Sequence, residues 1–190
     1  MKLKILSSLV IGAAIVVSGC GFNSNANYNY APPVNYTSVN MQTDAKILAA
    51  VMAIDKNEIA AATLAQKKSA NPVVRNFATF LYNQHSQDLQ QVQGLSQRLN
   101  LSPVNGEVAR MLHREGRHEM AKLSHLNNGA FDRAYISAMV KGHAQALHLI
   151  DNKLMPLATS PLVKGELQQL RGHVVVHLSK AQAIQAQLGR

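Results

Sequence analysis

Apolar residues recur every three to four positions from about residue 41 to the end of the chain, and no stretch alternates apolar with polar as a half-buried strand would. The pattern predicts helices throughout. The first is expected to begin at Thr43 or Asp44, either of which can cap it, and to carry Ile47, Val51, Ile54, Ala61 and Ala65 on one stripe. Asn71-Pro72 closes that segment and opens the next, because Asn accepts from free first-turn amides and Pro has no amide to leave unsatisfied. The second helix then runs from about Pro72 to Leu99 with Val74, Ala78, Leu81, Leu89 and Val92 inward. A turn follows, then a shorter, more polar helix from roughly Glu107 to Leu126, broken by Asn127-Asn128-Gly129. The fourth helix is placed at about Ala130 to Leu154 with Ile136, Met139, Val140, Leu147 and Ile150 inward. The fifth follows Pro156 and Pro161 and carries Leu170, Val174, Ala181, Ile184 and Leu188. Four helices of about 25 residues, close to 37 Å at about 1.5 Å per residue, joined by short turns make an all-α four-helix bundle, with the short helix in a connection across or beside it.

Composition agrees with that architecture. In 190 residues, 47% are hydrophobic and only 5% aromatic, enough for one domain with one sizeable core. The formal charge of +9 does not point to nucleic acid. In the third helix Arg110, Arg114, Arg117 and Lys122 are interleaved with Glu107, Glu115 and Glu119, which reads as a solvated face, and no nucleic-acid partner is expected. No phosphate-binding glycine loop, nucleophile elbow or zinc-protease motif occurs in the sequence. A single cysteine excludes an internal disulfide and a multi-thiolate metal site.

The position of that cysteine is informative. Lys2 and Lys4 precede an uncharged apolar run, Ile5 to Val17, and Ser18-Gly19-Cys20 follows at once. The apolar run is shorter than the roughly 20 residues a membrane-spanning helix needs. This arrangement resembles a bacterial lipoprotein signal peptide, which assigns residues 1–19 to a leader and Cys20 to lipidation, including a palmitate-type acyl chain. Gly21, where an Asp would argue for inner-membrane retention, implies by the same resemblance the outer membrane, with the domain facing the periplasm. Residues 20–40 change character: after Cys20 come six Asn, three Tyr, two Pro and no charge. They are expected to form a flexible tether spanning on the order of 25 Å, which leaves the bundle at residues 41–190.

Four ionisable residues fall on the apolar stripes, each near the middle of a different long helix. Glu58 lies four after Ile54, His85 four after Leu81, His143 four after Met139, and His177 seven after Leu170. Three imidazoles and a carboxylate meeting inside a bundle would suit one Zn, Fe or Mn ion. The same residues would equally make a hydrogen-bonded polar layer, with His85 paired to Glu58. Asp88 and His173 are candidate additional ligands at the margin.

Phe131-Asp132-Arg133-Ala134-Tyr135, followed by Met139-Val140 and His143, resembles the signature stretch of domain of unknown function 4142, a bacterial exported family assigned to the ferritin-like group. Glu58, Asn71-Pro72 and His85 fit the same pattern, and together these cover about residues 41 to 188. The resemblance implies a ferritin-like helical bundle in the cell envelope and no established activity. Gln84 stands where the family commonly has Asp, and the final helix lacks a Pro-x-Leu step before its His. The two Glu-x-x-His pairs of a di-iron site are absent, and Glu58 is the one acid clearly on a core stripe. Phe131, Asp132, Arg133 and Tyr135 have a scaffolding reading: Asn128 caps the fourth helix, Asp132 meets its positive end, and the two rings anchor it. The expectation is an outer-membrane lipoprotein anchored through Cys20, with a non-catalytic bundle contacting an envelope protein or the cell wall in stress protection or toxin immunity. The alternative is a mononuclear metal-binding or redox bundle on Glu58, His85, His143 and His177.

Overall fold

The computed structural model describes residues 36–189; the leader, Cys20 and most of the tether lie outside them. The described chain is all helical: α1 (Ser38–Lys68), α2 (Pro72–Arg98), α3 (Glu107–Ser124), α4 (Asn128–Leu149), a π turn at Ile150–Leu154, α5 (Met155–Leu157) and α6 (Pro161–Leu188). Helices α1, α2, α4 and α6 form the bundle, while α3 lies mainly along α1. No described helix is long and apolar enough to cross a membrane.

The first helix starts earlier than its pattern predicts. Thr37 is the N-cap, its side chain accepting from Asn40 N at 3.3 Å, and Asp44 is fully buried inside the helix. Asp44 serves another helix instead. One carboxylate oxygen accepts from Thr159 N at 2.9 Å; the other accepts from Thr159 Oγ1, Ser160 N and Tyr36 OH, each at 2.8 Å. Its negative charge sits against the amide end of α6, where the helix dipole favours it. Ser160 caps α6 through Leu162 N, and Asn71 caps α2 through Val73 N at 2.9 Å, each followed by a Pro at the first helical position.

The helix predicted to Leu154 continues to Leu157, but from Ile150 its hydrogen bonding changes to a π turn, for a local reason. Pro156 has no amide to give the carbonyl of Asn152 and its ring crowds that position, so the last turn widens and Met155 N bonds Ile150 O instead. At its start the N-cap is Asn127, with no side-chain cap bond, so Asn128 does not play the predicted capping role. Asn128 takes a left-handed φ of 52°, which Asn tolerates better than most residues.

Two apolar clusters fill the bundle. One gathers Leu48, Val51, Ile54, Val92, Ile150, Leu167 and Leu170; the other gathers Ala62, Val74, Leu81, Phe131, Ile136 and Ala181. Leu89 and Leu147, predicted inward, are only partly buried at the edge of the first. Helix α3 contributes just Ala109 and Leu123 to the buried set. It is held to α1 by Asn57 Nδ2, which donates to Leu112 O at 2.8 Å, and it can approach because residue 116 is glycine: a Cβ there would collide with the Asn57 side chain.

Two stability predictions follow from these contacts. Asp44→Ala strips the α6 amide end and Tyr36 of their acceptor and should cost about 2–4 kcal/mol, read from urea midpoints. Gly116→Leu should release α3 from α1 at smaller cost, seen as faster amide exchange across 107–124 with the bundle amides still protected.

Candidate metal centre

A polar belt separates the two apolar clusters. On α1, Asp55 and Glu58 fall between Ile54 and Ala61; on α2, His85 and Asp88 fall between Leu81 and Val92. On α4, His143 falls between Met139 and Ile150, and on α6, His177 falls between Val174 and Ala181. Helical spacing turns each of these residues inward, and bundle packing brings the interruptions to one level.

His85, His143 and His177 come together there, at 0%, 2% and 1% exposure. Their ring centroids are 5.0 Å (85 to 177), 5.3 Å (143 to 177) and 6.0 Å (85 to 143) apart. Each offers one ring nitrogen, and the three nitrogens all lie within 4.8 Å of one another. The outer hydrogen bonds fix which nitrogens are bare. His143 Nδ1 is 2.8 Å from Met139 O; a carbonyl only accepts, so Nδ1 carries the proton and Nε2 of the neutral ring keeps its lone pair. His85 Nδ1 faces Asp55 Oδ1 at 3.0 Å. His85 Nε2, His143 Nε2, His177 Nδ1 and Glu58 Oε2 are all buried and have no hydrogen-bond partner. A finished polar layer does not leave four such atoms orphaned. A carboxylate or carbonyl behind an imidazole whose other nitrogen is bare is how proteins orient metal-binding histidines.

The electrostatics differ from ring to ring. Burial pushes His177 down to about 2, helped by positive charge on His85, His143, His173 and Lys180, so its ring is neutral across the physiological range. Burial also opposes charge on His85, but its hydrogen bond to Asp55 and the carboxylates of Glu58, Asp55 and Asp88 outweigh that and raise it. Asp55 is raised to about 6 by burial, against the pull of His85. Glu166 is raised to about 7, first by burial and then by repulsion from Asp88 and Asp55.

Of the predicted ligands, the three histidines meet, while Glu58 is half-buried at the side of the belt and also lines a cavity of about 680 Å³ between α1, α3 and α4. The expected His85–Glu58 pair does not form; Asp55 takes that place. Nor is Glu58 the main acid of the core, since Asp55 and Asp88 are buried at 0% and 2% exposure. Asp55 was legible in principle, because Leu48, Val51, Asp55 and Ala62 make a stripe parallel to the Ile47–Ile54–Ala61 row. Asp88 and His173 pair with each other, Nδ1 to Oδ2 at 3.0 Å, and Gln84 donates to Asp88 Oδ1 at 3.2 Å. The substituted Gln84 thus buttresses Asp88.

With that geometry in place, the comparisons assign a family. The sequence model for the domain of unknown function DUF4142 matches residues 31–184. The chain belongs to that family. Among solved structures, a secreted protein of family DUF305 from Streptomyces coelicolor is similar, with TM-score 0.63 and 14% identity over 77% of this chain and 94% of that one, a likeness of fold. No curated protein matches the sequence significantly. The segment of this DUF4142 chain that carries the sequence signature lies in the first turns of α4. Phe131 and Tyr135 are fully buried and stack with centroids 6.0 Å apart, Lys68 Nζ lies 5.8 Å above the Phe131 ring, Asp132 is buried, and Arg133 is exposed. Tyr135 also touches the site electrostatically: burial, then the charge of Glu58, holds its hydroxyl well above the usual tyrosine range.

These shifts predict two opposite pH slopes in the metal-free protein. His177 falls from 6.5 to about 2 on folding, so its contribution to stability is complete above pH 6.5 and is lost as pH drops toward 2. Glu166 rises from 4.5 to about 7, so its contribution is complete below pH 4.5 and is lost as pH rises toward 7. Denaturation of wild type beside His177→Gln should show the first slope vanish in the variant, and Glu166→Gln should flatten the second, leaving the part of the same sign that Asp55, raised from 3.8 to about 6, contributes.

Proposed function

We propose that this DUF4142 protein is an exported metal-binding bundle whose ion is held by His85, His143 and His177, with Glu58 as fourth ligand. The observation that carries the reading is the convergence of three buried ring nitrogens, each without a hydrogen-bond partner. Imidazole and carboxylate donors suit Zn, Fe or Mn, and three neutral rings with one carboxylate match the charge of a divalent ion better than four carboxylates would. Glu58 joins the site to the cavity under α3, so the cavity is the entry path and Glu58 the ligand that exchanges. A position open on that side leaves room for redox or hydrolytic chemistry, whereas a closed site would be structural.

The placement of the domain is part of the same proposal. Lipidation of Cys20 at the outer membrane would hold the bundle in the periplasm on its tether, where an ion or an envelope or cell-wall partner would reach it. Cys20→Ala should move the protein from the detergent-extracted membrane fraction to the soluble one.

The decisive measurement is elemental analysis of protein purified without chelators. One Zn, Fe or Mn per chain is expected, falling to background in a His85→Ala, His143→Ala variant. Asp55→Asn keeps every ligand but weakens the orientation of His85, and should lower metal affinity about 10–100-fold. Affinity should also fall as pH falls, because a proton on His85 occupies the lone pair that would otherwise bind the ion. Metal-free wild type that takes up none of these ions would reduce the belt to a polar layer.

A further inference from the structure

Beside His85 the belt gathers acids that no lysine or arginine pairs with. Asp55 on α1 and Asp88 on α2 are buried at 0% and 2% exposure, and one donor atom from each of Asp55, His85 and Asp88 lies within 4.8 Å of the others. Glu166 on α6 is half-buried and close enough to be repelled by both. The ion pairs among the described residues give these carboxylates only imidazoles: His85 on Asp55 and His173 on Asp88. A lysine or arginine does not bridge them, although Arg98 acts on Glu166 from a distance.

Asp55 shows what is missing. Its Oδ1 is taken by His85 Nδ1, but Oδ2 is buried with no hydrogen-bond partner. Leaving a carboxylate oxygen buried and unsatisfied is expensive, and evolution of a neutral side chain here would have been simple. A divalent cation would satisfy Oδ2, offset the crowding of three acids on three helices, and leave the Asp55–His85 bond in place.

We propose that Asp55 and Asp88 hold a second divalent cation of the hard, oxygen-preferring class, with the carboxyl of Glu166 behind them as an outer acid, apart from the histidine triad and coupled to it through the Asp55–His85 hydrogen bond. The donor set is the reason for the class: carboxylate oxygens select Mg²⁺, Ca²⁺ or Mn²⁺ over the softer ions that imidazoles favour. His173 and Gln84 act as positioning residues, since their bonds to the two oxygens of Asp88 set its plane. In this arrangement Asp55 bridges the two sites, tying the orientation of His85 to occupancy of the acidic one.

The inference does not need the histidine reading to be right, and the test separates them. Mn²⁺ is the probe, counted by equilibrium dialysis and followed by its electron paramagnetic resonance, on the full protein and two variants. A His143→Ala, His177→Ala variant dismantles the triad yet should still take one Mn²⁺ per chain. Asp88→Asn with Glu166→Gln, near-isosteric changes checked for helicity and melting, should lose that ion or bind it at least about 100-fold more weakly, while Zn²⁺ uptake at the triad persists. If the folded triad variant takes up no Mn²⁺, or if the Asn and Gln changes leave Mn²⁺ binding intact, the acidic site does not exist. If wild type and triad variant take the same single ion and Zn²⁺ does not add a second, the acidic site stands and the histidine site falls.

Discussion

Everything in this bundle is arranged around a layer of buried polar side chains crossing its middle. Imidazoles and carboxylates at nearly zero exposure cost several kcal/mol each when unsatisfied, so a helical interior keeps them only if their partners stand at one level. That requirement fixes the vertical register of four helices more tightly than apolar packing does, because Leu, Ile and Val contacts tolerate small slips whereas an imidazole facing a carboxylate at 3.0 Å does not. The apolar clusters on either side then serve as clamps.

Devices elsewhere in the chain hold that register. Asp44 ties the start of α1 to the start of α6, which sets the height of His177 against Asp55 and Glu58. Asn71-Pro72 gives α1 and α2 a short antiparallel turn, which sets His85 opposite Asp55. The π turn before Pro156 carries the helical backbone of α4 on to Leu157, with Ile150 fully buried two turns below His143. The least firmly buried helix is α3, and it is the one that covers the cavity leading to Glu58. Weak anchorage there and strong anchorage elsewhere are what an entry path and a rigid site respectively require.

The chemistry of the belt divides in two. On one side, buried rings with bare nitrogens present soft-to-borderline donors; on the other, carboxylates lie close together. His85 belongs to both groups, and Asp55 gives one oxygen to His85 while the other has no hydrogen-bond partner. A change on either side is therefore felt on the other through one hydrogen bond, whatever occupies them.

The sequence by itself determined the helices, their approximate ends and most of the residues that face inward, because helical periodicity, Asn-Pro caps and turn residues act over a few neighbouring positions. It also singled out His85, His143, His177 and Glu58, since an ionisable side chain on an apolar stripe is visible without any fold. It mistook the role of Asp44, read as a cap and found to be a clasp on a helix 115 residues away, and it passed over Asp55, one position beside the row that was followed. Only tertiary structure decided that three rings converge while Glu58 stays at the edge, that His85 pairs with Asp55, and that Asp88 and Glu166 come close to that pair. Periodicity fixes the direction of a side chain about its own helix axis, but which helices become neighbours and at what height they meet are set by long-range packing, and on those two quantities the site depends.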